Sequence, residues 1–291
     1  MPNLQTSISN LKSKYWPLTK PLQTGLLLAT GLAGYMSARC PVFNMGTVLS
    51  VAGSLFLAIS GSTTVNMWYD RDIDARMNRT CWRPLPTRKI TPREALILGL
   101  ALSALGVGWA LAMDWLYGLI VFAGLYFDVA IYTIWLKRRS AWSIVWGGIS
   151  GGMPVLAGRA LGVGYIDWVG ATLALAILFW IPTHILTFAM KYHADYQKAN
   201  IPTFPSHYGF RATRLTIAIS SVLAAIAMAA AAYGIGMAWG YLRLIGVLSV
   251  GMLSLAIAIS VRPSERVNFG LFKYASLFML SAMLMIVLDV L

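Results

Sequence analysis

Nine apolar stretches, each about the length of a bilayer-spanning helix, take up most of the chain. They run at about 22–38, 45–68, 94–113, 115–136, 141–161, 166–190, 211–233, 237–261 and 270–289, with short polar segments between them. Nothing else in the sequence constrains the fold as strongly. Hydrocarbon offers no hydrogen-bond partner to backbone N–H and C=O groups, so a spanning segment must satisfy its own. Composition agrees with this reading. Of 291 residues, 58% are hydrophobic and 11% charged, whereas about a quarter of a soluble domain is charged. The expected fold class is all-α, a polytopic membrane bundle of nine transmembrane helices. Asp114 marks its tightest junction, where two runs nearly merge.

A net charge of +13 raises the question of nucleic acid, but the positions of the charges answer it. With the N-terminus on the cytoplasmic side, cytoplasmic segments hold 20 of the 23 Lys and Arg residues. Only Arg39, Arg159 and Arg243 fall outside. That split follows the positive-inside rule, so most of the basic excess is topological and no nucleic-acid partner is implied. The lipid bilayer is the expected surrounding and the cell membrane the expected location. Residues 1–20 are expected to form a short cytoplasmic arm without a removable leader, and residues 21–291 a single transmembrane domain. Cys40 and Cys81 fall on opposite faces in this topology, so no disulfide between them is expected.

Ten carboxylates serve the whole chain, and three of them, Asp70, Asp72 and Asp74, lie within five residues at the end of the second run. In a helix, Asn66, Asp70 and Asp74 share one face. Crowded anionic oxygens are costly unless a cation sits among them, and two carboxylates with an amide oxygen suit Mg²⁺. Seven Lys and Arg follow between Arg71 and Arg93. Among them Arg79 and Arg83, four apart, are spaced to grip a diphosphate. A solvated, charged helix end is the plainer alternative, but it would not need carboxylates in register inside an apolar span.

The second polar loop carries Lys191, Tyr192, His193, Asp195, Tyr196 and Lys198. Asp195 is its only carboxylate, so it is poor in metal ligands, and Lys191 suits a phosphate; interfacial anchoring explains the stretch equally well. His184, after Trp180 and Pro182, is an ionisable residue inside the sixth run. It is suited to a metal centre, a proton relay or a hydrogen bond to a neighbouring helix. Gly147, Gly148, Gly151, Gly152 and Gly158 in the fifth run allow close helix approach or leave space for a flat ligand. Lys137, Arg138 and Arg139 end the fourth run as topology determinants and as contacts for an anionic group.

Asn66-x-x-x-Asp70-x-x-x-Asp74 resembles the first aspartate-rich motif of the UbiA-type intramembrane prenyltransferases. The extension Arg79-Thr80-x-x-Arg83-Pro84-Leu85 resembles the protoheme IX farnesyltransferase branch, as do Tyr132 to Arg139, Trp180-x-Pro182-x-His184 and Asp195-Tyr196-x-x-Ala199-Asn200-Ile201-Pro202. The resemblance covers roughly residues 60–210. Thr183, Ile185 and Thr203-Phe204-Pro205 depart from the usual pattern, and these departures bear on the acceptor rather than the diphosphate. The resemblance implies transfer of a farnesyl group from farnesyl diphosphate to haem B, with Mg²⁺ as cofactor and haem A synthase as a protein partner. It implies Mg²⁺ on Asn66, Asp70 and Asp74, phosphate oxygens on Arg79, Arg83, Lys191 and Lys137, and substrate contacts from Asp195 and Tyr196. His184 is then expected at the haem iron or a propionate. Two rivals stand beside this reading: a relative acting on a quinone precursor or chlorophyll-type acceptor, and a transporter or non-catalytic cofactor carrier. Transporters often show interrupted repeats and mid-membrane polar sites. The polar residues here gather at one face instead.

Overall fold

The computed structural model describes residues 13–39 and 44–291. The first twelve residues of the expected arm, and Cys40, lie outside the described residues. Each apolar run becomes one long helix: α1 Pro21–Ser37, α2 Met45–Tyr69, α3 Pro92–Met113, α4 Trp115–Leu136, α5 Ser143–Val163, α6 Trp168–Lys191, α7 Phe204–Ile235, α8 Trp239–Val261 and α9 Glu265–Leu288. Among the described residues there is no strand. Seven of these helices, all but α1 and α5, are long and apolar enough to cross a membrane. Against the nine expected crossings, α1 is only 17 residues long and α5 is diluted by glycine and carries Arg159. Both still run from one end of the bundle to the other. Lys20, before α1, meets Asn66 near the end of α2, while Arg39, beyond it, meets Gly236 and Asp289. Trp142, before α5, packs on Phe204, while Arg159 near its end reaches Ser37 and Asp167.

Side-chain caps set the helix starts. Asn44, Thr91, Asp114, Asp167, Thr203 and Ser264 each accept a hydrogen bond from the backbone N–H three residues on. Asp114 settles the tight junction: its extended backbone breaks the helix and its carboxylate starts α4 at Tyr117 N–H. In α7, Gly209 has φ 78° and kinks the helix, so the straight part begins close to the expected residue 211. The last ten residues of α4, Phe127–Leu136, form a π-helix, in which Lys137 N–H reaches the Tyr132 carbonyl. Such wide turns are rare and recur at functional sites.

Each helix packs on its neighbours in the chain, and α9 returns to α1 to close the ring. Outward positions such as Leu100, Leu105, Leu215, Ile226, Val247 and Ile257 stay exposed, as they must where the surrounding solvent is lipid. One buried core lies mainly in α6–α9 and a second in α1–α5. At the end where α2, α4 and α6 finish, the two polar loops dock on each other. Ile73 and Met77 of the first pack with Ala199, Ile201 and Tyr196 of the second. On the other side of this end, Leu18 is fully buried against Met67, Leu85, Ile90 and Ala95. The described part of the arm is therefore packed on the bundle.

Candidate active site

α2 ends at Tyr69 and a short helix, Arg71–Arg76, follows directly. The hydrogen-bond register survives the join. Asp70 N–H donates to the Asn66 carbonyl at 3.0 Å, and Asp74 N–H to the Asp70 carbonyl at 2.8 Å. Asn66, Asp70 and Asp74 consequently face the same way, and all three are buried. Three cations surround them. Lys137 pairs with Asp70, Arg83 Nη1 donates to both Asp74 oxygens at 2.9 and 2.8 Å, and Lys20 Nζ donates to Asn66 Oδ1 at 3.3 Å. The Arg-Thr-x-x-Arg sequence has a local reason as well. Thr80 folds the turn back by donating its hydroxyl to the Asp74 carbonyl at 3.0 Å, which brings Arg83 onto the Asp74 carboxylate.

Burial, reinforced by the charges of Arg83 and Lys137, pushes the Lys20 ammonium down to about 8. Burial also works against the Lys137 charge, but the adjacent Asp70 carboxylate overcomes it and raises Lys137 above the ordinary lysine value. Lys20, Arg83 and Lys137 stand beside Asp70 and Asp74, and the Asp128 carboxylate also offsets Lys20; a divalent cation bound there would add the positive charge that suits an anion. Asp70 Oδ1 is buried without a hydrogen-bond partner, an orphan acceptor of the kind a divalent cation would use. Among the described residues, no three His, Cys, Asp or Glu side chains gather as a metal set. Two carboxylates and one amide oxygen nevertheless fit Mg²⁺, whose remaining ligands are usually water and phosphate.

A polar chain behind Asn66 fixes its orientation. Asn66 Nδ2 donates to Thr133 Oγ1 at 2.8 Å, and Thr133 donates to the Asp128 carbonyl at 2.7 Å. Ser62 donates to the Asp128 carboxylate. The π-helix aligns Thr133 with Asp128, five residues back, so this support depends on a backbone feature that no sequence pattern announced. Lys20 was also missed, because its charge was already accounted for by topology.

The second loop joins the first through Asp195, which accepts from Arg79 N–H at 3.2 Å. Tyr196 and Lys137 help line a small cavity of about 50 Å³ with Tyr132, Ile201 and Phe204. Arg79 and Lys191 stand apart from the carboxylates. The Arg79 guanidinium lies 4.9 Å from the Phe188 ring centroid and 5.6 Å from that of Tyr192, and Lys191 Nζ lies 3.4 Å from the Phe269 centroid. His184 is stacked between Trp180 and Phe272, and its Nδ1 is 3.1 Å from Ser276 Oγ. Of the three roles open to His184, the hydrogen bond to a neighbouring helix is present. The fifth-run glycines serve close packing. A Cβ at Gly158 would strike the Gly31 carbonyl and Tyr35 N of α1, and one at Gly152 would come within 2.9 Å of the Ala174 carbonyl of α6.

Buried carboxylates ringed by cations, at one end of a polytopic helical bundle, place the molecule among intramembrane enzymes that handle anionic substrates. The model of the UbiA prenyltransferase family matches residues 27–281, and the chain belongs to that family. A protoheme IX farnesyltransferase of Archaeoglobus fulgidus is 43% identical over 217 residues, which is 74% of this chain and 75% of the relative. A solved structure of digeranylgeranylglyceryl phosphate synthase superposes with TM-score 0.79 at 20% identity, covering 97% of this chain and 99% of that one. A UbiA homolog from Archaeoglobus fulgidus, bound to GPP and Mg²⁺, superposes with TM-score 0.64 at 18% identity, covering 94% and 99%. At these identities the structural likeness carries the fold alone.

Proposed function

We propose that the protein transfers the farnesyl group of farnesyl diphosphate to a vinyl group of haem B, giving haem O and diphosphate. The observation that carries this is the buried Asn66–Asp70–Asp74 face with Lys20, Arg83 and Lys137 upon it, in a chain 43% identical to a protoheme IX farnesyltransferase.

In this reading Asn66, Asp70 and Asp74 hold Mg²⁺, and a solved UbiA homolog bound to GPP and Mg²⁺ supports a divalent metal in the family. Bound there, Mg²⁺ neutralises the negative charge that grows on the departing diphosphate. Arg83, Lys137 and Lys20 bind phosphate oxygens and stabilise the same charge. The C1–O bond of the farnesyl group breaks. The terminal vinyl carbon of haem bonds to C1, leaving a cation on the adjacent carbon conjugated with the macrocycle. Water adds its oxygen there and loses a proton, which completes the hydroxyethylfarnesyl group. The apolar bundle shields the allylic cation from earlier capture by water. Asp195 positions the Arg79 turn, Tyr196 lines the approach to Lys137, and His184 contacts the haem. Residues 21–291 act as one catalytic unit in the cell membrane, with the N-terminus and the site on the cytoplasmic side. Haem A synthase is the partner that would take the product.

The test incubates purified protein with farnesyl diphosphate, haem B and MgCl₂ and seeks farnesylated haem by mass spectrometry. Wild type is expected to form it, and Asp70→Ala to lose roughly 100-fold or more of the rate; its melting temperature falls because Lys137 loses its buried partner, but the variant stays folded at the assay temperature. Absence of product from wild type, with prenylation of a quinone precursor instead, overturns the acceptor. Full activity in Asp70→Ala overturns the site.

A further inference from the structure

The ten carboxylates of the chain all fall among the described residues, and Asp128 alone lies well inside a span. The others cap or begin helices or stand in the polar loops. Asp128 sits in the middle of α4, where the π-helix Phe127–Leu136 begins. A carboxylate at that depth is costly to keep, so a functional partner is the default reading. Ion pairing does not explain it, since among the described residues no cation forms an ion pair with it.

Its two carboxylate oxygens differ. Oδ2 accepts from the hydroxyl of Ser62, a buried residue of α2. Oδ1 has no hydrogen-bond partner among the described residues, and the side chain is half-buried rather than sealed. The charge of Asp128 reaches the Lys20 ammonium, so the carboxylate belongs to the interior of the site and not to the lipid face. Ser62, Asn66 and Asp70 continue one four-residue ladder on α2. Ser62, and Asp128 with it, therefore lies about 6 Å deeper in the bundle than Asn66. A prenyl diphosphate held by Asn66, Asp70 and Asp74 has its phosphates at the loop end and its hydrocarbon in the bundle. The reacting C1 consequently falls on the Ser62 side of those residues.

We propose that Asp128 is the general base of the water-addition step, with Ser62 as its positioning residue. The proposal rests on the farnesyl transfer described above, which leaves the proton of the added water without an acceptor. Once the vinyl carbon has bonded to C1, the cation beside the macrocycle has two exits. It loses a proton from the neighbouring carbon and becomes an alkene, or it takes water and becomes the alcohol. Water held on Oδ1 gives an oxygen lone pair to the cationic carbon while Oδ1 takes its proton, leaving the alcohol and a neutral carboxylic acid. The acid then returns the proton to solvent, so the carboxylate is restored and no oxidant or reductant is needed. Before that, its negative charge stabilises the cation. By holding Oδ2, Ser62 keeps Oδ1 turned to the water.

The test is a product ratio. Purified full chain is incubated with farnesyl diphosphate, haem B and MgCl₂, and mass spectrometry separates the alcohol from the alkene, which is lighter by one water. Asp128→Asn keeps the size of the side chain and an oxygen for Ser62. It also keeps the backbone carbonyl that accepts from Thr133, so the support of Asn66 is intact. Its alcohol-to-alkene ratio is expected to fall about 100-fold, with KM for farnesyl diphosphate unchanged and Asp128→Glu restoring part of the ratio. Ser62→Ala, which frees the carboxylate from its tether, should lower the ratio by about tenfold, and it carries the test if Asp128→Asn does not fold. A purely structural role would lower both products together, and that result, or an unchanged ratio, overturns the proposal. A wild type that forms no farnesylated haem at all overturns the haem reading itself, and the base with it.

Discussion

Lys20 and Asp70 show how differently two residues of one site can be read from a sequence. Asp70 was legible because its partners are local: a four-residue period keeps Asn66, Asp70 and Asp74 on one face, and the structure preserves that register across the end of α2. Lys20 was not, because a lysine beside a membrane helix already has a topological explanation. Only its contact with Asn66, 46 residues away, reveals another role. Lys20 is paired with an amide rather than a carboxylate, so its charge is the least compensated of the three. Lys20→Met should therefore raise KM for farnesyl diphosphate about tenfold or more, the worth of one hydrogen bond to a charged group. The melting temperature should hold, because Leu18 and not Lys20 anchors the arm. Initial rates across a substrate series measure this, and an unchanged KM would reduce Lys20 to a tether.

At the scale of elements, each apolar run is a long helix among the described residues, seven of them long and apolar enough to cross a membrane, and polar caps placed several of their boundaries. Two departures from regular helix were not legible. The π-helix at Phe127–Leu136 has no composition of its own, and the Gly209 kink is one glycine among 26 in the chain. The fifth-run glycines left packing and ligand space open, and backbone proximity decides for packing. A methyl group at Gly158 has only α1 backbone to displace, at Gly31 and Tyr35. Gly158→Ala should therefore destabilise the bundle by about 1–3 kcal/mol. Gly108 is the control. It lies in α3 with nothing within 4 Å of a Cβ, so Gly108→Ala should be neutral or stabilising by up to about 1 kcal/mol. Melting of both variants in detergent separates the two. Equal behaviour would mean that the α1–α5 contact does not limit stability.

At the scale of the whole molecule, the charge pattern gives the bundle its expected orientation. At the end opposite the site two of the three cations are neutralised: Arg39 pairs with Asp289, and Arg159 with Asp167. At the site end, by contrast, the cations outnumber the carboxylates. A membrane that retains positive charge on the cytoplasmic side would hold the site end there. Cys81 reports on this directly. It is a free, exposed thiol in the loop between Thr80 and Trp82, at the site end. In a Cys40→Ser background it is the sole cysteine of the chain. A membrane-impermeant maleimide applied to intact cells should leave Cys81 unlabelled, and permeabilising the membrane should expose it. Labelling of intact cells would turn the molecule over and place the carboxylates on the outer face. The positive-inside reading would then fail for this chain, and the donor would have to reach Asp70 and Asp74 from outside.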